Sequence, residues 1–150
     1  FKEALSPKFN EYAKRVVKNS KCIAEELLER GFKLVSGGTD NHIVLVDLQK
    51  NYPDVSGGDV EEELADVGII LNANTVPGET GSPLDPSGIR IGTPAITSRG
   101  LGTKNSRKIA KLIADVIDSI DNGNKNKVKS SVKKEVKKIS KENPIYKDTE

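Results

Sequence analysis

Apolar residues recur at steps of three or four positions in four stretches of the chain, which predicts four amphipathic helices. These stretches cover residues 7–30, 56–67, 103–120 and 124–142. Gly31 stands where a glycine commonly ends a helix. Ser56, with Asp59 three residues later, forms a variant of the capping box that begins one. The Asn-Gly-Asn run at 122–124 separates the last two predicted helices.

Shorter apolar runs predict four strands between these helices. They lie at Phe32–Val35, His42–Leu48, Ile69–Leu71 and Gly88–Thr93. The first two flank a glycine-rich turn and are expected to form an antiparallel hairpin. The resulting order, α-β-β-α-β-β-α-α, predicts an α+β fold with a small, mostly antiparallel sheet and helices packed on one face.

The fourth predicted strand carries an arginine between two isoleucines, with a glycine beyond each. Because side chains alternate along a strand, Arg90 points away from the face that Ile89 and Ile91 share. Gly88 and Gly92 leave room for a ligand or another backbone to approach. A rigid, desolvated guanidinium is well suited to bind a carboxylate through two parallel hydrogen bonds. The residues alone are equally compatible with a structural ion pair or a solvated edge arginine.

The connection before this strand, residues 74–87, has no periodicity and contains three prolines. Ordered loops of this length are uncommon unless they bind something. Asn72 and Asn74 offer amide groups, and Ser82 offers a hydroxyl, all of which could surround a flat heterocycle. The alternative is a surface connection built from turn-forming residues.

Composition limits the classes of function. The 150 residues hold one cysteine and one histidine, so neither an internal disulfide nor a His/Cys metal cluster is possible. This cysteine usage predicts a reducing, cytoplasmic location. No apolar run approaches the roughly 20 residues that span a bilayer, so no membrane partner is expected. Residues 1–5 show neither the apolar region of a signal peptide nor an initiator Met, so the chain is expected to begin inside a longer protein.

The charge is uneven, because residues 124–141 hold eight lysines and one glutamate. This lysine-rich helix has no interleaved aromatic residues, and its apolar stripe favours packing over nucleic-acid binding. The three glutamates at 61–63 are expected to form a solvated helix face. Nucleic acid is therefore not an expected partner.

Several motifs together resemble one family, the serine hydroxymethyltransferases, which are pyridoxal-phosphate enzymes of the aminotransferase-like fold. The matching stretches are Val35–His42, Leu45–Leu48, Asn72–Pro77, Ser82–Pro83, Ser87–Ala95 and the ending Asn143–Tyr146. They occur in the order and spacing of the family. The resemblance implies that residues 1–150 are the single small C-terminal domain of a longer fold type I enzyme, ending in the lysine-rich amphipathic helix at 124–142.

The resemblance also implies roles for individual residues. Arg90 corresponds to the arginine that binds the carboxylate of serine or glycine. Asn74, Ser82, Pro83 and Leu84 correspond to the folate site, although Leu84 stands where the family usually has phenylalanine. Ala73 likewise replaces a common lysine, and Asp85-Pro86 differ from the usual pair.

Pyridoxal 5′-phosphate and tetrahydrofolate are the cofactor and co-substrate that the resemblance implies, with a homodimer or homotetramer as the assembly. The lysine that carries the cofactor lies in a Thr-Thr-His-Lys motif, whereas His42 is followed here by Ile43. No catalytic residue is therefore expected in this chain, and the chain alone is expected to be inactive.

Two alternatives remain at the level of sequence. One is an autonomous, non-catalytic module that binds a small carboxylate through Arg90 or an acidic partner through its lysine-rich helix. The other is a fold type I aminotransferase, which the Ser82-Pro83 pair disfavours.

Overall fold

The computed structural model describes residues 1–79, 82 and 84–145 of the chain. In this part, the α-helices are α1 (Pro7–Glu29), α2 (Gly57–Asp66), α3 (Pro94–Ser98), α4 (Thr103–Asp121) and α5 (Lys125–Glu142). The strands are β1 (Lys33–Leu34), β2 (Ile43–Asp47), β3 (Asn72–Asn74) and β4 (Gly88–Gly92).

The four strands form one antiparallel sheet in the order β1-β2-β4-β3. The central pair β2–β4 places Val44 opposite Ile91 and Val46 opposite Ile89, and all four side chains are buried. These residues form the core face of the sheet, as their alternation with polar or less buried neighbours requires. The predicted α+β fold and the predicted antiparallel hairpin of β1 and β2 are confirmed.

The helices complete the core. α1 and α2 contact the sheet, α4 packs against both of them, and α5 packs on α4 and α2. Ile23 and Leu27 of α1 and Ile113 and Ile117 of α4 share one apolar cluster with the core face of the sheet. None of the helices in the described ranges is long and apolar enough to cross a membrane.

The predicted helix ends and turns follow from local chemistry. Gly31 adopts a φ of +86° just after α1, a conformation that glycine accepts at no steric cost. Ser56 and Asp59 bond each other's backbone N–H groups in a capping box at the start of α2. In the turn before β2, Thr39 Oγ1 accepts from the N–H of Asn41 at 3.2 Å, and Asn41 Oδ1 accepts from that of Ile43 at 2.8 Å.

The third strand is displaced from its predicted position. Ile69–Leu71 is not a strand; β3 occupies the next three residues, Asn72–Asn74. The backbone N–H of Ile69 donates to Leu64 O at 2.9 Å, so this residue still belongs to the turn that ends α2. Asparagine has low strand propensity, and β3 therefore carries no strand signal in the sequence. The short helix α3 was also absent from the prediction.

Three backbones converge where β4 begins. A side chain at Gly88 would place its Cβ 2.4 Å from Val76 Cγ1, 2.7 Å from Val46 O and 2.8 Å from Asn74 O. At Gly57, the first residue of α2, a Cβ would lie 2.2 Å from Gly88 O. The Gly57 N–H also donates to Pro86 O at 2.7 Å. The predicted close approach is thus confirmed at Gly88, where the approaching groups are the Val76 side chain and the protein's own backbone, but not at Gly92.

The lysine-rich helix α5 docks through an apolar stripe and a charged cluster. Val132 and Ile139 are buried against the core. Lys125 and Lys129 both bond the carboxylate of Glu63 on α2, and Lys129 also reaches Asp66 at 2.7 Å. These contacts hold the pKa of Glu63 below its ordinary value. The cluster therefore fixes the position of α2 relative to α5.

We expect Gly88→Ala to lower the free energy of unfolding by about 1–3 kcal/mol, the usual cost of forcing atoms into a packed site. Gly92→Ala is the matched control in the same strand, because the nearest atom to its added Cβ, Pro94 Cδ, lies at an ordinary 3.8 Å. Urea unfolding of both variants measures the difference. Equal losses in the two variants would contradict the close approach at Gly88.

We also expect Glu63 to make stability depend on pH. A carboxylate whose pKa is lowered on folding stabilises the protein above its unfolded pKa, near the ordinary 4.5, and loses that contribution as pH falls through the folded pKa. Glu63→Gln should therefore cost about 0.5–1 kcal/mol at neutral pH and nothing once Glu63 is protonated. Urea unfolding from neutral pH down to the pH at which Glu63 is protonated tests this expectation, with the exposed Glu62→Gln as control. A loss of unfolding free energy in Glu63→Gln that does not depend on pH would contradict it.

Candidate functional site

The face of the sheet opposite the core carries the predicted ligand-binding residue. Arg90 lies at the centre of β4 and is exposed, while its neighbours Ile89 and Ile91 are buried on the other face. Arg90 stands directly opposite Leu45 of β2 and Asn72 of β3. We call this side, with Leu45, Asn72, Asn74 and Arg90, the open face of the sheet.

The guanidinium of Arg90 has one bond to the protein in the part of the chain that the structure describes. Its Nη2 donates to Asn72 Oδ1 at 3.3 Å, and none of the described carboxylates forms an ion pair with it. The Arg90 side chain is exposed, so the described residues of this chain do not desolvate the guanidinium. The remaining N–H groups are left to bind an anion from outside the chain.

Asn74 lies two residues after Asn72 on β3 and therefore shares the open face with Arg90. It is half-buried, and its Nδ2 donates to the adjacent Thr75 O at 2.7 Å. Between the two asparagines, the backbone N–H of Ala73 donates to Glu61 Oε2 at 2.8 Å. The structure thus brings Arg90, Asn72 and Asn74 together at the sheet edge that α2 supports.

The connection between β3 and β4 holds the other predicted site residues. Ser82 and Leu84 are exposed, and the Leu84 N–H donates to Ser82 Oγ at 3.2 Å. Within the described ranges, Ser82 Oγ bonds the Leu84 N–H and Arg90 bonds Asn72, so no hydrogen bond joins Ser82 to Arg90. Pro83 and Tyr146 lie outside the described residues, as does part of the connection at 80 and 81.

A carboxylate closes this connection just before β4. Glu79 accepts from the backbone N–H of Ser87 at 2.9 Å and from Ser87 Oγ at 2.6 Å. This pair ties the connection to the residue that precedes Gly88. Sequence reasoning singled out the prolines and missed Glu79, since a single glutamate in an irregular segment has no pattern that reveals its partner.

The three glutamates of α2 are not the uniformly solvated face that their sequence suggested. Glu61 holds β3, Glu63 holds α5, and Glu62 is exposed. The partners lie 12 and 62 residues away along the chain. A helical wheel shows where such side chains point but not which distant backbone or lysine meets them.

The open face can bind an anion, but the four described residues that define it include no lysine amine for covalent chemistry. The lysine in the four strands, Lys33, pairs with the buried Asp47 at 2.6 Å. Polar groups near Arg90 are the two asparagine amides. This arrangement can orient a carboxylate through paired hydrogen bonds.

Comparison with known proteins places the chain in a family. The sequence profile of the family described as serine hydroxymethyltransferase matches residues 1–113. The serine hydroxymethyltransferases of Halobacterium salinarum, Natronomonas pharaonis and Halorubrum lacusprofundi are 63%, 57% and 55% identical over 118 residues. Each of these matches covers 79% of this chain, which spans only 28% of the relative's length. The chain therefore belongs to the serine hydroxymethyltransferase family.

Proposed function

We propose that this chain is the part of a serine hydroxymethyltransferase that binds the carboxylate of the amino-acid substrate. The longer enzyme would interconvert serine and glycine, with transfer of the one-carbon unit to tetrahydrofolate. The observation that supports this most is the exposed guanidinium of Arg90, which is held by Asn72 and paired with none of the described carboxylates.

The contribution of Arg90 in this proposal is orientation. Two parallel hydrogen bonds from a guanidinium fix both the position and the plane of a carboxylate. Holding the amino acid in one orientation lowers the entropic part of the reaction barrier. Asn74, Ser82, Pro83 and Leu84 would contribute to the folate side, and the exposed Leu84 replaces an aromatic contact with an aliphatic one.

The cofactor that the family implies, pyridoxal 5′-phosphate, does not fit the described residues of this chain. Its attachment needs a lysine amine, whereas the four residues of the open face include no lysine and the Thr-Thr-His-Lys motif of the family is absent from this chain. We therefore assign the cofactor to the rest of the enzyme. The homodimeric or homotetrameric assembly and the cytoplasmic location stay predictions.

Arg90→Ala in the complete enzyme should weaken serine binding by about 10- to 100-fold, since hydrogen bonds to a charged group contribute about 1.5–3 kcal/mol. Arg90→Lys should be intermediate, because a lysine keeps the charge but loses the parallel pair of donors. Arg15→Ala removes an exposed arginine from α1 and serves as the control. Unaltered serine affinity in Arg90→Ala would refute the proposed role.

The 150-residue chain by itself should not bind serine more tightly than about 1 mM, an affinity that requires about 4.1 kcal/mol. An ion pair between exposed groups contributes only about 0–1 kcal/mol, and Arg90 is exposed. Calorimetric titration of the chain with serine, glycine and a folate checks this. Binding tighter than 1 mM to any of them would favour the autonomous module instead.

A further inference from the structure

We infer that Glu61 of α2 is a positioning residue for Arg90, acting through the edge strand β3. The inference rests on the proposed function of Arg90. It starts from the carboxylate of Glu61, which accepts from the backbone N–H of Ala73 at 2.8 Å.

The bond lies at the outer edge of the sheet. β3 is the last strand in the sheet order and pairs with β4 on one side only. Because backbone N–H groups alternate in direction along an antiparallel strand, that of Ala73 points away from β4, while Asn72 and Asn74 face β4. A three-residue edge strand has few ladder bonds of its own. The charge-assisted hydrogen bond from the Ala73 N–H to Glu61 is therefore a large part of the attachment of β3 on the side away from β4.

The strand that Glu61 holds sets the conformation of Arg90. Asn72 is the direct cross-strand neighbour of Arg90, and its Oδ1 accepts from Arg90 Nη2 at 3.3 Å. This is the bond that fixes the guanidinium among the described residues. If β3 loosens, Asn72 moves with it and the exposed side chain of Arg90 regains its rotamer freedom.

Glu61 can serve as a fixed point because α2 is held at both ends. Its first residue, Gly57, is pressed against Gly88 O and bonded to Pro86 O. On the side that faces α5, Glu63 and Asp66 bond Lys125 and Lys129. The helix thus links the start of β4 and the edge of β3 through one rigid element.

The test compares Glu61→Ala, Glu61→Gln and Glu62→Ala in the complete enzyme, with Arg90→Ala alongside. Glutamine keeps an Oε1 that can accept from Ala73, and Glu62 is an exposed neighbour that leaves the edge bond intact. We expect Glu61→Ala to raise the KM for serine about 2- to 30-fold, the range of couplings carried by packed networks. The kcat at saturating serine should stay within about twofold, because saturating serine restores the bound arrangement in which Arg90, still present, orients the carboxylate.

A second readout, amide hydrogen exchange at Ala73, should become faster in Glu61→Ala only. Glu61→Gln should restore both the serine KM and the slow exchange, and Glu62→Ala should match the parent enzyme. Fast exchange at Ala73 with an unchanged KM would overturn the inference, as would a glutamine variant that behaves like alanine. If Arg90→Ala itself leaves serine affinity unchanged, the proposed function fails, independently of Glu61.

Discussion

The contact between two glycine backbones, at Gly57 and Gly88, is the constraint on which the position of Arg90 depends. No Cβ fits at either residue. At Gly57 it would clash with the carbonyl oxygens of Pro86 and Gly88. At Gly88 it would clash with those of Val46 and Asn74. The start of α2 is consequently in direct contact with the start of β4, two residues from the guanidinium. A strand packed this closely cannot shift without disturbing β2, β3 and α2 together. Arg90 therefore stands on a rigid base while its own side chain stays in solvent.

The two faces of the sheet differ in burial, and in our proposal they separate stability from function. Valines and isoleucines on one face share the core with α1 and α4, whereas the other face holds Arg90 and its asparagine neighbours. In our proposal, the chain positions a guanidinium that can bind a carboxylate. Its described residues do not exclude water from this contact, and an ion pair in water is weak. Because the matched relatives are nearly three times as long as this chain, the remaining part of such an enzyme can exclude that water. In our proposal, this division explains how the chain can carry the substrate-binding arginine and still bind serine only weakly by itself.

Much of the fold could be predicted from local chemistry. Periodicity located the long helices, and glycine and capping residues located their ends, because these signals act within a few neighbouring residues. The sequence misplaces β3, because its two asparagines are poor strand formers. In addition, its outward backbone N–H, that of Ala73, donates to Glu61 of α2 and not to another strand. The same limit applies to the candidate site, where local patterns are visible in the sequence and distant partners are not. Arg90 was visible in an alternating strand, but Glu61 and Glu79 were not, since their partners are defined only after folding.

An experimental structure of the complete enzyme with glycine bound would show directly whether Arg90 binds the substrate carboxylate. The account predicts two nearly parallel hydrogen bonds, about 2.7–2.9 Å long, from the Arg90 guanidinium to the glycine carboxylate. It also predicts that Asn72 still contacts the arginine. A glycine carboxylate bound by other residues, with Arg90 paired to a protein acid, would contradict the account.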